Sequence, residues 1–285
     1  MSDPKTNLAL PDAWQSLREL TPARIALGRA GGSVPTGQWL DFRLAHARAR
    51  DAVQADFDAA TLASQLRSLG LQTCCLASDA KDRATFLQRP DLGRRLSEAS
   101  RNELLAMNPP RVSVEPATFE LATIVSDGLS ALAAERQALP LLTAWQPLIA
   151  ASGWRMAPAS VVSFGRVAIE DEIGAVWNAR VAVILIGERP GLGSPDSLSA
   201  YLVHNPRVGR TDAERNCISN IRPQGLSPEI AALKLHYLVG EALTRGISGV
   251  SLKDESTALG QTAAHSTLDD SNSPPRLGAS DPASK

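Results

Sequence analysis

Polar side chains follow directly on apolar runs at three places in this sequence: Asp127 in VSDGLS, Arg166 in FGRV, and Glu188 with Arg189 in GERPGLG. A carboxylate offers acceptors only and a guanidinium a fork of donors, so together they suit a ligand carrying amide, carboxylate or phosphate groups. Gly187, Gly191 and Gly193 let the backbone around Glu188 come close to something bulky. On its own a GxxxGxG loop also serves as a plain surface turn, and the loop alone leaves both readings open.

Motifs that would name a reaction are missing. The sequence has no GxxxxGK[ST] phosphate loop, no GxSxG nucleophile elbow, no HExxH and no CxxC. GLGSPD lacks the third glycine of the dinucleotide fingerprint and opens no obvious helix. His46, His204, His236 and His265 are scattered without metal-ligand spacing. No catalytic residue and no metal ligand is assigned. The residues point to a chain that holds a ligand on which another subunit acts.

Strands must bring these residues together. Val181 to Ile186 is an uninterrupted apolar run, too short for a normal helix and rich in β-branched side chains, which reads as a strand buried on both faces. ELATIV and SVVSF read likewise, and AIEDEIGAVWNA between SVVSF and VAVILI reads as a crossover helix. Strand, helix, strand within about 30 residues is a βαβ unit, so the three loops share the carboxyl edge of a parallel sheet, where open α/β sheets bind ligands.

Around that core the pattern predicts two short helices in Asp12–Leu27, the second starting at Pro22, then a helix capped by Thr36 whose Trp39, Phe42, His46 and Ala49 share a face. Thr61–Leu69 reads as a helix and LQTCCLAS as a strand. Asp91 is read as the N-cap of a helix running to Asn108, with Arg94 and Arg95 in its first turn. Cations there oppose the helix dipole and call for a partner, an internal carboxylate or an external anion. A helix from Ala131 is expected to break near Pro140 and Pro147 and close at Gly153. SLSAYLVH reads as a further strand, ERNCISNI as a helix capped by Asp212, and SPEIAALKLHYLVGEALTRG as a last helix on the sheet. The predicted fold is α/β: a flexible N-terminus (1–11), a mainly helical region (12–118), a Rossmann-like parallel-sheet domain (119–253) and a disordered tail (254–285) nearly free of large apolar residues.

With 285 residues, 44% of them apolar, and a net charge of −1, the chain is built like an ordinary globular protein, which argues against a general binder of nucleic acid or anionic membranes. No stretch reaches the roughly 18 apolar residues of a membrane span. The start MSDPKTNLAL has no secretory pattern, and of the three cysteines, Cys74, Cys75 and Cys217, the neighbours Cys74 and Cys75 make a poor structural disulfide, so a cytoplasmic setting is expected.

GRVAIEDEIG (165–174), GERPGLGSPDSLSAY (187–201) and ERNCISNI (214–221) resemble the signature blocks of the ethanolamine ammonia-lyase small-subunit family. PARIALGRAG (22–31), PDLGRRL (90–96) and VSDGLS (125–130) fall in the same family order, and the resemblance spans about Trp14 to Val250. It implies adenosylcobalamin as cofactor and ethanolamine as substrate, turned into acetaldehyde and ammonia. It also implies a partner, a TIM-barrel large subunit that binds the substrate and against which this chain clamps the corrinoid. Through their motifs the family's cofactor-binding positions become Val167, Glu188 and Cys217. Because the family holds the cofactor with the cofactor's own benzimidazole below cobalt, Cys217 is expected to touch the corrinoid's periphery rather than the metal. Longer N-terminal extensions in the family are linked to packaging in a protein-shelled microcompartment; about a dozen residues precede Trp14 here, so both cytoplasm and microcompartment stay open as locations. Two rival readings are a free-standing nucleotide-binding Rossmann-like enzyme and a subunit that only stabilises its barrel partner.

Overall fold

The computed structural model describes residues 9–10, 12–108 and 119–256. The chain divides into two units, Met1–Leu252 and Lys253–Lys285. In the second, described as far as Ser256, the Asp254 carboxylate accepts from the backbone N–H of Ser256 at 3.0 Å. The expected flexible N-terminus, but for residues 9 and 10, and the expected tail beyond 256 lie outside the described residues.

The first unit opens with β1 (Ala9–Leu10) and β2 (Arg29–Ala30), a two-stranded antiparallel ribbon, then α1 (Thr36–Gln54) and α2 (Ala59–Ser68). β3 (Thr73–Ala77), α3 (Arg83–Gln88) and α4 (Glu98–Met107) follow. The second half runs β4 (Phe119–Ser126), α5 (Ala131–Ala151), β5 (Ala159–Ser163), α6 (Ile169–Val176), β6 (Ala179–Gly187), β7 (Leu198–His204), β8 (Arg215–Ile221) and α7 (Pro228–Arg245). One six-stranded sheet in the order β3-β5-β4-β6-β7-β8 organises them. β3, β5, β4 and β6 are parallel; β7 and β8 each run antiparallel to their neighbour. The fold is α/β and Rossmann-like, with a mixed sheet that begins at Thr73.

VAVILI in β6 is buried on both faces, as an inner strand covered by helices should be. α2, α5 and α7 pack one core on one face of the sheet, and α4 and α6 a second core on the other. Ser126, at the end of β4, is level with Val162 of β5 and Ile186 of β6, so the loops after these three strands leave the sheet side by side.

Several expectations are corrected. Instead of two helices, Asp12–Leu27 forms one 3₁₀ turn, Gln15–Glu19, with no buried residue; without an apolar face to pack, so short a helix lacks its main support. Thr36 is the first residue of α1 rather than its cap, which is Pro35. Asp91 precedes only the 3₁₀ turn Leu92–Arg94 and gives it no side-chain cap, its carboxylate taking Nε and Nη2 of Arg89 at 3.0 and 2.8 Å. Arg94 therefore ends a 3₁₀ turn, Arg95 is extended, and Ser97 caps α4 through the N–H of Ser100. α5 runs unbroken through Pro140 and Pro147. Two interior prolines cost about 6 kcal/mol, and burying Leu141, Leu142 and Ile149 returns about 1.5–3 kcal/mol each, before Trp145 is added. ERNCISNI is not a helix: Asp212–Glu214 is a 3₁₀ turn capped by Thr211, and RNCISNI is β8, pairing along the otherwise open edge of β7.

Candidate functional site

At the carboxyl edge of the sheet lies an open cavity of about 370 Å³. Its walls include Arg166 and Val167 after β5, Glu188 and Arg189 after β6, Tyr201 of β7 and Ser219 of β8. Two glycines set its floor, and neither tolerates a Cβ. One built on Gly187 would stand 2.1 Å from the carbonyl oxygen of Ser130, and one on Gly128 would stand 2.5 Å from that of Gly187. With Gly128 at φ +51° the loop after β4 folds tightly over the end of β6, where Leu129 N–H donates to the Gly187 carbonyl at 3.0 Å.

Glu188 follows β6 directly, and its N–H donates to the Ser197 carbonyl at 3.0 Å. Its Oε1 accepts from Ser199 Oγ at 2.5 Å and from the backbone N–H of Asn220 at 2.8 Å. Oε2 takes neither bond and, among the described residues, is the acceptor left over. The Asn220 N–H is available because β8 bulges there: Ala200 pairs with Ile218 and Leu198 with Ile221, so Ser219 and Asn220 together face Ser199. Asn220 carries the bulge at φ +59°, and its Oδ1 accepts from Arg222 Nε at 2.8 Å. Ser199 and Asn220 gave no signal in the sequence, since both depend on a register shift between distant strands.

Val167 is half-buried beside Arg166, so the structure brings Val167 and Glu188 to one cavity. Cys217 stands next to it: it is exposed on β8, opposite Tyr201 and two residues before Ser219, both of which line the cavity. Desolvation by the surrounding protein pushes the Cys217 thiol up, against the Tyr201 and Ser199 hydroxyls, and the charges of Glu188 and Glu170 push it further. It is thus held as a neutral thiol, the form least suited to bind a metal or attack a substrate.

Asp127, expected at a loop tip, is instead turned inward. Its Oδ1 accepts from Phe164 N–H at 2.7 Å and from Ser126 Oγ, and its Oδ2 pairs with Arg83 Nη1 at 3.1 Å. Burial pushes its pKa up to about 6 against the pull of Arg83. The residue braces the loop after β4 against the loop after β5. Arg166 lies flat over the Phe86 ring at 4.0 Å and donates from Nη2 to the Phe86 carbonyl, while its buried Nε has no partner.

Below the cavity, buried Arg215 of β8 donates from Nη1 to Glu170 Oε1 at 2.6 Å and from Nη2 to Asp171 Oδ2 at 2.7 Å. Two carboxylates face one guanidinium, and burial pushes Glu170 up to about 8 although Arg215 pulls the other way. The triad ties the strand that carries Cys217 to the helix that follows Val167. Its sequence signal was the acidic run Glu170–Glu172 on an otherwise apolar helix, which demands cations from elsewhere in the fold.

Among the described residues no group of three or more His, Cys, Asp or Glu side chains could hold a metal ion, and no helix is long and apolar enough to cross a membrane. The loop after β6 leads into an antiparallel strand, so no helix N-terminus follows GLG to receive a pyrophosphate. That tells against the nucleotide-enzyme reading.

Fold and sheet edge together define an α/β protein of the Rossmann-like type. The chain belongs to the ethanolamine ammonia-lyase light chain (EutC) family, whose sequence profile matches residues 11–253. It is 54% identical to the ethanolamine ammonia-lyase small subunit of Pseudomonas fluorescens (strain SBW25) over 256 residues, 90% of this chain and 91% of the relative. The small subunit of Azotobacter vinelandii is 56% identical over 247 residues (87% and 90%), and that of Xanthomonas campestris pv. campestris 54% over 244 residues (86% and 88%).

Proposed function

We propose that this chain is the small subunit of an adenosylcobalamin-dependent ethanolamine ammonia-lyase, holding the corrinoid against a TIM-barrel large subunit that binds ethanolamine and carries most catalytic groups. One observation carries the reading: Glu188, at the end of the central strand, has one carboxylate oxygen pinned by Ser199 and Asn220 and the other left to accept. A corrin rim bears neutral amides, and their NH₂ groups donate to such an oxygen. The cavity fits a part of this group and not the whole. At about 370 Å³ and open on one side, it covers one flank of a corrinoid and needs a second protein to close over the rest.

Val167 supplies apolar contact or a backbone group at the wall shared with Arg166. Cys217 offers a neutral thiol to the ligand's periphery. When bound, adenosylcobalamin supplies the radical chemistry that converts ethanolamine to acetaldehyde and ammonia. This chain's residues orient the group and shield one side of it from water. Free thiols at Cys74, Cys75 and Cys217 support a reducing, cytoplasmic setting.

The test is reconstitution with a large subunit of the same enzyme family, followed by titration of the apo complex with adenosylcobalamin, read by corrinoid absorbance. Saturable binding, weakened by substitution of Glu188, is expected. A complex that binds no corrinoid, or ammonia release by this chain alone, would overturn the reading.

A further inference from the structure

Among the described residues, three arginines around the sheet edge have no carboxylate partner. Arg94 ends the 3₁₀ turn before α4, Arg166 follows β5 and Arg189 follows β6. Their neighbours are all engaged: Arg83 with Asp127, Arg95 with Asp79, Arg101 with Glu172, and Arg210 with Glu214. Arg166 belongs to the walls of two cavities at once, the one that holds Glu188 and an adjoining one of about 780 Å³. Arg189 lines the first and Arg94 the second, so the three cations follow the seam between them. The carboxylates of the second cavity do not balance them. Asp171 is bound to Arg215, Glu172 to Arg101, and Asp212 lies 3.9 Å from Arg215.

Uncompensated guanidinium groups repel one another. Burial lowers the pKa of Arg166, and the charges of Arg83, Arg94 and Arg189 lower it further against the pull of Asp127, so both Arg94 and Arg189 register at its position. Its Nε is buried with no acceptor at all. The arrangement holds a donor ready and costs stability unless an anion joins it. Arginine's planar fork matches the oxygens of a phosphate group in particular.

We propose that Arg94, Arg166 and Arg189 bind a phosphate group, supplied by the ligand that lies along the edge from Glu188 into the second cavity. This rests on the corrinoid reading above: adenosylcobalamin carries one phosphodiester, in the chain that links its corrin ring to its benzimidazole. The same chemistry has a second source in free phosphate, and the two are separable.

The experiment uses the apo complex of this chain with its large subunit, wild type and the double variant Arg94→Ala, Arg189→Ala, both exposed positions. Each is titrated with adenosylcobalamin and with adenosylcobinamide, which lacks the phosphate, ribose and base, and melted with and without inorganic phosphate. The double variant is expected to bind adenosylcobalamin roughly 10- to 100-fold more weakly, with adenosylcobinamide affinity changed less than about 2-fold and an unchanged apo melting point. Equal weakening of both corrinoids, or of neither, would overturn the proposal. So would a phosphate-dependent rise in melting point lost in the variant with both corrinoid affinities intact, which would assign the arginines to free phosphate. A wild-type complex that binds adenosylcobinamide but gains nothing from the phosphate-bearing arm overturns the phosphate site alone. One that binds neither corrinoid overturns the cofactor reading and this proposal with it.

Discussion

At Glu188 one carboxylate oxygen serves the protein and the other is free, and this division makes the two roles separable by substitution. Glu188→Gln retains an amide oxygen that still accepts from Ser199 and Asn220, but its NH₂ replaces the free acceptor. Glu188→Ala removes both. A hydrogen bond to a charged acceptor is worth about 1.5–3 kcal/mol, so adenosylcobalamin affinity of the apo complex should fall roughly 10- to 150-fold in Glu188→Ala. Glu188→Gln should weaken binding while keeping the wild-type melting point. Unchanged affinity in a stably folded Glu188→Gln complex would leave this carboxylate with a purely structural role. Glu170 permits a second prediction at the same scale. Its folded pKa, pushed up to about 8, lies above the ordinary glutamate value of 4.5, so between these values the folded chain holds a proton that the unfolded chain releases. Stability therefore falls as pH rises through that window. Glu170→Gln, which still accepts from Arg215, should flatten this part of the melting-point profile and raise the melting point above pH 8. A profile with its slope intact would place the titration elsewhere.

Among the elements, β8 does most to shape the site, and its bulge should respond to backbone chemistry rather than to side-chain size. Asn220 sits at φ +59°, a conformation that costs a residue with a branched Cβ roughly 1–2 kcal/mol and costs glycine little. Asn220→Val should lower the urea midpoint at an unchanged m-value, and Asn220→Gly should lose only the bond from Arg222. Equal losses in both would show that the side chain, not the bulge, is what matters. This strand also marks where the sequence stops being legible. β4, β5 and β6 are readable because helices on both faces make them continuously apolar, and their ends place Val167 and Glu188 at one edge. RNCISNI is half exposed, and its Arg215 is buried only because Glu170 and Asp171 of α6 meet it across the fold, so nothing local says strand. Only its motif therefore points to Cys217, and the local pattern there suggests a helix. Asp127 is illegible for a related reason: a polar residue after a strand reads as exposed, and only the fold brings Arg83 and the Phe164 N–H around it.

For the whole molecule, the open side of the cavity governs what the chain does alone. The cavity's volume, about 370 Å³, is at the low end for a drug-sized ligand, which a closed pocket buries by some 70–90%. A corrinoid is larger, so on the proposed reading this chain would contact one flank and leave the other to water. Affinity would then depend on closure by the large subunit, and binding and assembly would be linked. At a cofactor concentration about 100 times the Kd of the assembled complex, binding stabilises that complex by about 2.7 kcal/mol. The melting point of the complex should therefore rise with adenosylcobalamin. The isolated chain at the same concentration should barely respond, because its own Kd is far weaker. Ammonia release should appear only when both subunits and the cofactor are present. Measuring the two melting curves beside a deamination assay of each subunit alone and of the mixture decides the matter. An isolated chain that binds adenosylcobalamin as tightly as the complex would mean that the cavity closes by a movement of its own loops, and would overturn the picture of a clamp completed by a second protein.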